Sequence, residues 1–323
     1  MPEGHTIHRL AREHTRDLGG QRLRVTSPQG RYPQLAAALD GALLERIEAR
    51  GKHLLYHWQA DDGELAAAGA RLVRAALILH VHLGLFGRMR QSVAPFGAPT
   101  PSAQLRLEAK HVAIELIGAT TCELIDDAQY ARLLSRLGPD LLADPASATD
   151  AAAVNRTHGS NNSHDAATSP TTATSLDATD RERVWQQLSR RSTPIATALL
   201  DQRILSGVGN VYRLEALFVC GIHPEQPSNS LSRAAFDRLW GTLRDMLRQG
   251  VEDSRIVTVH PSERADAALD TVALEDAFYV YKQLRCRRCG SPIRAWRLGA
   301  RPAYACERCQ PPPTTTPAAA PKG

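Results

Sequence analysis

The sequence predicts an α+β protein of more than one domain: an N-terminal helix with an antiparallel β-sandwich, then a mainly helical domain that ends in a β-hairpin. Three observations predict it. Segments with an apolar residue at about every second position fill most of the first 130 residues, a polar run follows them, and two C-x2-C pairs stand near the end of the helical part. A period of two suits strands buried on one face, and a run without large apolar residues cannot offset its own ordering entropy.

The first element is the helix that begins in MPEGHTIHRL, where Ile7, Leu10, Ala11 and Leu18 recur at helical spacing. It starts almost at the chain end, so Pro2 and Glu3 sit where a helix N-terminus offers unpaired N–H groups and partial positive charge. The alternating segments RLRVTS, LLERIEARGKHLLYHW, RAALILHVHLGLFGRMRQ and QLRLEAKHVAIELIG read as antiparallel strands and hairpins. DDAQYARLLSRLGPDLL adds a short helix that stops at GPD. Residues 143–180 are rich in Ala, Thr, Ser, Asn and Asp and read as a flexible linker. Helical patterning resumes at RERVWQQLSRR and continues through TPIATALLDQRIL, NVYRLEALFVCG and LSRAAFDRLWGTLRDMLRQGV. Residues 311–323 read as a disordered tail.

At 323 residues, 43% of them hydrophobic, the chain is long enough for two cores. It shows neither a basic segment followed by an apolar run at its start nor eighteen uncharged apolar residues in succession. The expectation is therefore a soluble, cytoplasmic protein without a membrane span. Lys and Arg outnumber Asp and Glu by 39 to 34, a formal net charge of +5 that favours a polyanionic partner. Lysine occurs at four positions alone, so Lys52, in a predicted hairpin turn, stands out.

Cys286, Cys289, Cys306 and Cys309 form C-x2-C-x16-C-x2-C. Two such knuckles suit four thiolates around one tetrahedral, structural zinc. Two disulfides are the alternative, and they belong to an oxidising compartment for which the chain shows no export signal. The segment between the knuckles reads as a β-hairpin carrying Arg294, Arg297 and Arg301. Cys122 and Cys220 read as buried and inert. His80 and His82 share a strand face, yet no acidic residue or third histidine stands at ligand spacing, and they read as ordinary core or surface histidines. In DQRILSGVGNVYRLEALF a turn with Gly207 and Gly209 joins two helices, and the second begins at Asn210, where spare N–H groups suit an anion. A plain helix–helix turn capped by Asn210 is the alternative.

Pro2-Glu3-Gly4, the hairpin RGKHLL with Lys52, the turn before Asn210 and the cysteine hairpin follow one another in this order. Together they resemble the formamidopyrimidine-DNA glycosylase/endonuclease VIII family over residues 1–142 and 181–310. The opening MPEGHTIHRLA is most like an actinobacterial second endonuclease VIII branch. The resemblance implies a catalytic β-sandwich domain at 1–142, a linker at 143–180, a helix-two-turns-helix DNA-binding domain at 181–280 and a zinc-finger hairpin at 281–310. It implies a monomeric enzyme that removes oxidised bases, pyrimidines foremost, from duplex DNA or from bubbles and single strands, and that nicks abasic sites by β- and δ-elimination. An enzyme of the same fold directed at 8-oxoguanine or formamidopyrimidines, and a non-catalytic binder of damaged DNA, are the alternatives.

The resemblance also implies roles. The Pro2 amine, freed by removal of Met1, is the nucleophile, Glu3 the general acid and Lys52 a phosphate contact that assists proton transfer. Asn210 and Arg301 are phosphate clamps, and Leu85 and Phe86 are candidates for the wedge that fills the gap left by a flipped base; Phe86 as a core aromatic is the alternative. The zinc takes no part in the chemistry. The sequence departs from the relatives' common opening in carrying His5 and Thr6 where they have a proline and a second glutamate.

Overall fold

The computed structural model describes residues 2–59, 77–143, 170–264, 272–273 and 276–313. They fall into two compact units divided between Ser169 and Pro170.

In the first unit, α1 (Gly4–Leu18) buries one face, including Ile7, Leu10, Ala11, His14 and Leu18, as its spacing requires. Its N-cap is Glu3, in extended conformation, whose carbonyl accepts from the amides of Thr6 and Ile7 at 2.9 and 3.4 Å. The strands are β1 (Gln21–Arg22), β2 (Arg24–Thr26), β3 (Leu43–Arg50), β4 (His53–Gln59), β5 (Leu77–His82), β6 (Arg88–Val93), β7 (Ala103–Glu108), β8 (Val112–Ile117) and β9 (Thr121–Ile125). A short helix, α2 (Pro33–Leu39), packs on β2, and α3 (Asp127–Ser135) packs on β9. One antiparallel sheet has the order β1-β3-β4-β5-β9 and the other β2-β7-β8-β6. Leu54, Tyr56, Leu79 and Val81 of the first sheet share a core with Leu105, Leu107, Ile114 and Leu116 of the second, which is the predicted sandwich.

Helix α1 packs on β3 and β4. A buried polar contact there joins His14 Nδ1 to the Tyr56 hydroxyl at 2.7 Å. The capping box of Asp126 and Gln129 starts α3.

The second unit contains α4 (Pro170–Leu188), α5 (Ile195–Ala198), α6 (Asn210–Val219), α7 (Arg233–Glu252), β10 (Arg294–Leu298) and β11 (Arg301–Ala305). Helix α6 is buried on every side from Asn210 to Phe218, and α7 packs Phe236, Leu239, Trp240, Leu243 and Leu247 inward behind a Ser232 cap. Within α6 the fully buried Glu215 accepts from Thr258 Oγ1 at 2.5 Å and from the amides of Tyr279, Val280 and Tyr281 at 2.8 to 2.9 Å. Burial pushes its carboxyl above the usual range, although these four bonds oppose the rise. The segment leading into the first cysteine pair is thereby fastened to the central helix.

Two expectations need correction. Helix α4 begins at Pro170, inside the segment read as linker; its later turns pack Trp185 on Phe236 of α7, with ring centroids 5.3 Å apart, and charged pairs join the two helices as well. Asp177 pairs with Arg244 at 3.0 Å and Glu182 with Arg233 at 2.6 Å. Residues 144–169 and the tail from residue 314 lie outside the described residues. The helix expected through TPIATALLDQRIL is also shorter, a single turn over Ile195–Ala198. Gln202 then organises the turns, donating to the carbonyls of Leu200 and Val208 at 2.9 and 3.1 Å and accepting from the Gly207 amide at 3.0 Å.

The buried imidazoles of α1 set a pH limit on the fold. His5 and His14 are pushed down to about 3, in both cases first by burial, with Arg9 adding to the effect. In the unfolded chain they take up protons near pH ~6.5. Below that pH the unfolded state therefore binds more protons, and stability falls with pH by about 1.4 kcal/mol per unit for each group. Urea midpoints should drop steeply between pH 7 and pH 5, whereas a level midpoint would show that the folded protein accepts these protons.

Candidate active site and nucleic-acid interface

In the first unit the chain start, the β3–β4 turn and the LGPD segment meet through one carboxylate. Glu3 is 0% exposed and Pro2 half-buried. One turn further along α1, His8 Nε2 donates to Asp140 Oδ2 at 2.8 Å. The same oxygen accepts from the Gly51 amide at 2.6 Å, and Oδ1 accepts from the Leu142 amide at 2.9 Å. Gly51 has φ +58°, the left-handed conformation that the tight turn into β4 needs, and Lys52 follows it directly. Burial pushes the Asp140 carboxyl up, but His8 and the two amides more than offset this and hold it below the ordinary aspartate range. Pro2 and Glu3, carried by α1, and Lys52, carried by the hairpin, are thus tied to one buried charge.

Neither Asp140 nor His8 is a site residue in the sequence reading, in which GPD is a helix stop. The signal was present only as a buried-type motif, since 132 residues separate the two partners.

Leu85 and Phe86 occupy the tight turn between β5 and β6, closed by the Gly87 amide on the Leu83 carbonyl at 3.0 Å. Phe86 is 85% exposed and Leu85 39% exposed. The alternative of a core aromatic at Phe86 is therefore excluded. His80 and His82 do have the neighbours that sequence spacing lacks, because β4 and β9 supply them. His53 Nδ1 lies 2.8 Å from His80 Nε2, and Glu123 Oε1 lies 3.0 Å from His80 Nδ1.

In the second unit Asn210 is the first residue of α6 and 3% exposed. Its Nδ2 donates to the Pro302 carbonyl at 3.2 Å and its Oδ1 accepts from Arg213 Nη2 at 2.6 Å, while Arg213 Nη1 donates to the Ala196 carbonyl at 2.5 Å. The amide thus joins α5, α6 and the terminal hairpin one residue from Arg301. Arg301 opens β11 opposite Leu298, across a turn in which Gly299 has φ +62°. Arg294 stands at the other end of β10, paired with Glu307 at 2.9 Å and lying over Trp296 at 4.6 Å.

Behind the hairpin, the sulfurs of Cys286, Cys289, Cys306 and Cys309 all lie within 4.8 Å of one another. The pairs Cys286–Cys309 and Cys289–Cys306 stand 3.8 and 3.4 Å apart, far beyond a disulfide bond. Tetrahedral thiolates at ~2.3 Å from zinc would have edges of roughly 3.8 Å, so the donor set fits such an ion. Gln310 buttresses the second knuckle, accepting from the Cys306 amide at 3.2 Å and donating to the Ile222 carbonyl at 2.7 Å. Cys122, buried, is pushed up to about 12 by burial and stands apart from this cluster.

The first unit thus has an α1 start fixed to a lysine-bearing β-hairpin, and the second a two-turn entry into α6 and a four-cysteine hairpin. The family profile of the formamidopyrimidine-DNA glycosylase N-terminal domain matches residues 1–132, and that of the formamidopyrimidine-DNA glycosylase H2TH domain matches residues 171–261. "Endonuclease 8 1" of Mycobacterium tuberculosis is 33% identical over 317 residues, which cover 96% of this chain and 100% of that protein. "Formamidopyrimidine-DNA glycosylase" of Dechloromonas aromatica is 27% identical, with 96% and 100% covered. A solved structure of Lactococcus lactis Fpg with abasic-site DNA shares the fold at TM-score 0.66 and 20% identity, covering 95% of this chain and 99% of that one. The chain belongs to the formamidopyrimidine-DNA glycosylase/endonuclease VIII family. The mycobacterial name carries the number 1, not the second branch that the opening residues suggest.

Asp140→Asn should keep the shape of the joint and remove its charge. Leaving His8 and the Gly51 amide with a weaker, partly mismatched acceptor is expected to cost roughly 1–3 kcal/mol in urea unfolding at pH 7. Asp140 contributes stability above the unfolded aspartate pKa near ~3.9 and loses it as pH falls through its lower folded value. The gap between variant and wild type should therefore close in acid; equal stability at pH 7 would remove the joint from this account.

Proposed function

We propose that this protein is a bifunctional DNA glycosylase and abasic-site lyase that removes oxidised bases, pyrimidines foremost, through an iminium formed on Pro2. The observation that carries the reading is the Asp140 joint, which ties the helix behind Pro2 and Glu3 to the turn behind Lys52. Greater identity to a protein named Endonuclease 8 1 than to those named formamidopyrimidine-DNA glycosylase supports the pyrimidine preference. On this reading residues 1–142 carry the chemistry, 181–280 and the hairpin at 281–310 grip DNA, and the monomer works in the cytoplasm. No described helix is long and apolar enough to cross a membrane.

Once Met1 is removed, Pro2 offers a secondary amine. An α-amino group titrates near ~7.7–8.0, so a useful fraction is neutral at physiological pH. The neutral amine attacks C1′ and the bond from C1′ to the base breaks, the base leaving with a proton. Glu3 protonates the ring oxygen as the sugar opens, and the amine loses its own proton to give a cationic iminium. That cation draws electrons from the C2′–H bond. Loss of the C2′ proton expels the 3′ phosphate, a second elimination expels the 5′ phosphate, and water then releases the opened sugar from Pro2. Lys52 contacts phosphate and assists these proton transfers.

Arg301 provides a second phosphate contact, and Asn210 holds the Pro302 carbonyl beside it. One structural zinc on Cys286, Cys289, Cys306 and Cys309 would keep the hairpin's shape without entering the reaction. The target base must leave the stack, and Leu85 with Phe86 would fill the gap; the exposure of Phe86 supports this.

Borohydride should trap the wild-type protein covalently on abasic-site DNA, and a Pro2→Gly variant or an N-terminally tagged protein should lose strand cleavage, because neither supplies the secondary amine. Glu3→Gln should lose base release yet retain part of the cleavage of pre-formed abasic sites. Full glycosylase activity with a blocked N-terminus would overturn the nucleophile, and single-lesion substrates would rank the bases.

The hairpin is tested separately. Arg301→Ala should weaken binding to damaged and undamaged DNA alike and lower the salt slope of log K by about 0.9, one phosphate on B-DNA. Cys306→Ser should release zinc and reduce binding further although it deletes no positive charge. Wild-type protein without zinc, or a Cys306→Ser variant that binds like wild type, would refute the clamp.

A further inference from the structure

The three histidines that lie between the Lys52 turn and the exposed turn at Leu85 and Phe86 have no role in the chemistry above. His82, the last residue of β5, receives the Gly84 amide on its Nδ1 at 3.1 Å. An amide can only donate, so Nδ1 turns a lone pair toward Gly84 and the ring's proton sits on Nε2; the Thr120 hydroxyl lies 3.2 Å from the same Nδ1. Gly84 has φ +67°, and a Cβ there would stand 2.3 Å from the Thr120 methyl, so the turn is seated on Thr120 with no slack on that side. Thr120 in turn holds the His82 carbonyl through its amide at 3.0 Å and its hydroxyl at 2.9 Å.

Behind His82 lies His53, the residue after Lys52, with ring centroids 5.0 Å apart. The tautomers follow in sequence from Glu123. Its carboxylate accepts from His80 Nδ1, so His80 Nε2 bears a lone pair and accepts the proton of His53 Nδ1. Burial keeps the His53 and His82 rings uncharged, pushing His53 down to about 3 and lowering His82 as well, and the nearby Lys52 acts in the same direction on both.

We propose that His82 is a positioning residue that sets the direction of Leu85 and Phe86 by holding the Gly84 amide, and that the His53–His80–Glu123 chain braces its ring against the Lys52 turn. The inference rests on the wedge reading of that turn. It deepens that reading by joining base eviction to the hairpin that serves the chemistry.

The test uses full-length protein and a duplex with one oxidised pyrimidine beside 2-aminopurine, whose fluorescence reports unstacking. His82→Leu should slow the fluorescence rise and single-turnover base release about three- to tenfold, the range that one neutral hydrogen bond supports, with little change in Kd. His82→Asn, which keeps an acceptor near the same place, should recover most of the loss. In a Phe86→Ala background His82→Leu should add nothing, because the residue acts through the turn. Cleavage of a single-stranded abasic site, which needs no base evicted from a stack, should change far less than cleavage of the duplex.

Equal flipping in His82→Leu, multiplying losses in the double variant, no recovery with Asn or an equal loss on single strands would each overturn the proposal. If His82→Leu does not fold, Glu123→Ala decides, since that side chain is 55% exposed. It should slow flipping about twofold with Phe86 present and not without it; any other pattern overturns the proposal. Wild-type protein that borohydride cannot trap would overturn the lyase reading together with this inference, whereas trapped wild type with the contrary variant results overturns the inference alone.

Discussion

A buried carboxylate with three donors holds the start of α1, the β3–β4 turn and the segment after Asp140 together in the first unit. Asp140 accepts one hydrogen bond from α1, one from the β3–β4 turn and one from its own segment. Removing a carboxylate from water costs several kcal/mol unless its lone pairs are filled, so the contact has meaning only when all three donors are in place. It therefore acts as a register pin. Sliding α1 along the sandwich would unseat the packed Ile7, Leu10 and Leu18, break the bond of His14 to Tyr56 and strand the charge. Hydrophobic packing brings the helix to the sheet, and the carboxylate chooses its position.

The second unit solves the same problem with different groups. Its central helix α6 is enclosed, and its polar side chains fasten segments that have little regular structure of their own. Glu215 gathers three successive amides before the first cysteine pair, and Asn210 with Arg213 gathers carbonyls from α5 and from β11. The terminal hairpin itself has only two strands, which are marginal alone. Its hold comes from Asn210 on one side, from Gln310 on the other and from the sulfur cluster at its base. On the reading proposed above, a cysteine substitution in this hairpin would alter shape and an arginine substitution would alter charge.

The sandwich, α1, the hairpin at Lys52 and the cysteine hairpin were legible because each is written in local spacing: a period of two, a period of 3.6, a turn glycine and a C-x2-C pair. The joint at Asp140 was not, because its partners lie 89 and 132 residues away and a helix-stop motif accounts for GPD equally well. The histidines failed for a related reason. Along β5 their spacing reveals a shared face, but the register with β4 and β9 places His53 and Glu123 against them, and register depends on both sheets closing together. The start of α4 was missed because the apolar residues it packs inward, Val184, Trp185 and Leu188, lie in its second half, and the pair of Asp177 with Arg244 leaves no periodic apolar signal. Roles of single residues came from resemblance, since neither exposure nor spacing distinguishes Lys52 from a solvated turn lysine.

The distribution of charge follows from these choices. The imidazoles of His5, His14, His53 and His82 are all depressed by burial, so they add no positive charge to a neutral-pH protein, and its basic character rests on arginine and a few lysines. A guanidinium stays charged throughout the physiological range, whereas an exposed imidazole would change its charge there. The guanidinium groups can therefore supply attraction to a polyanion while these four buried rings keep directional hydrogen bonds. Charge that attracts and geometry that orients are assigned to different residue types, which allows the long-range field to be screened by salt without disturbing the bonds that aim Gly84 and the turn beyond it.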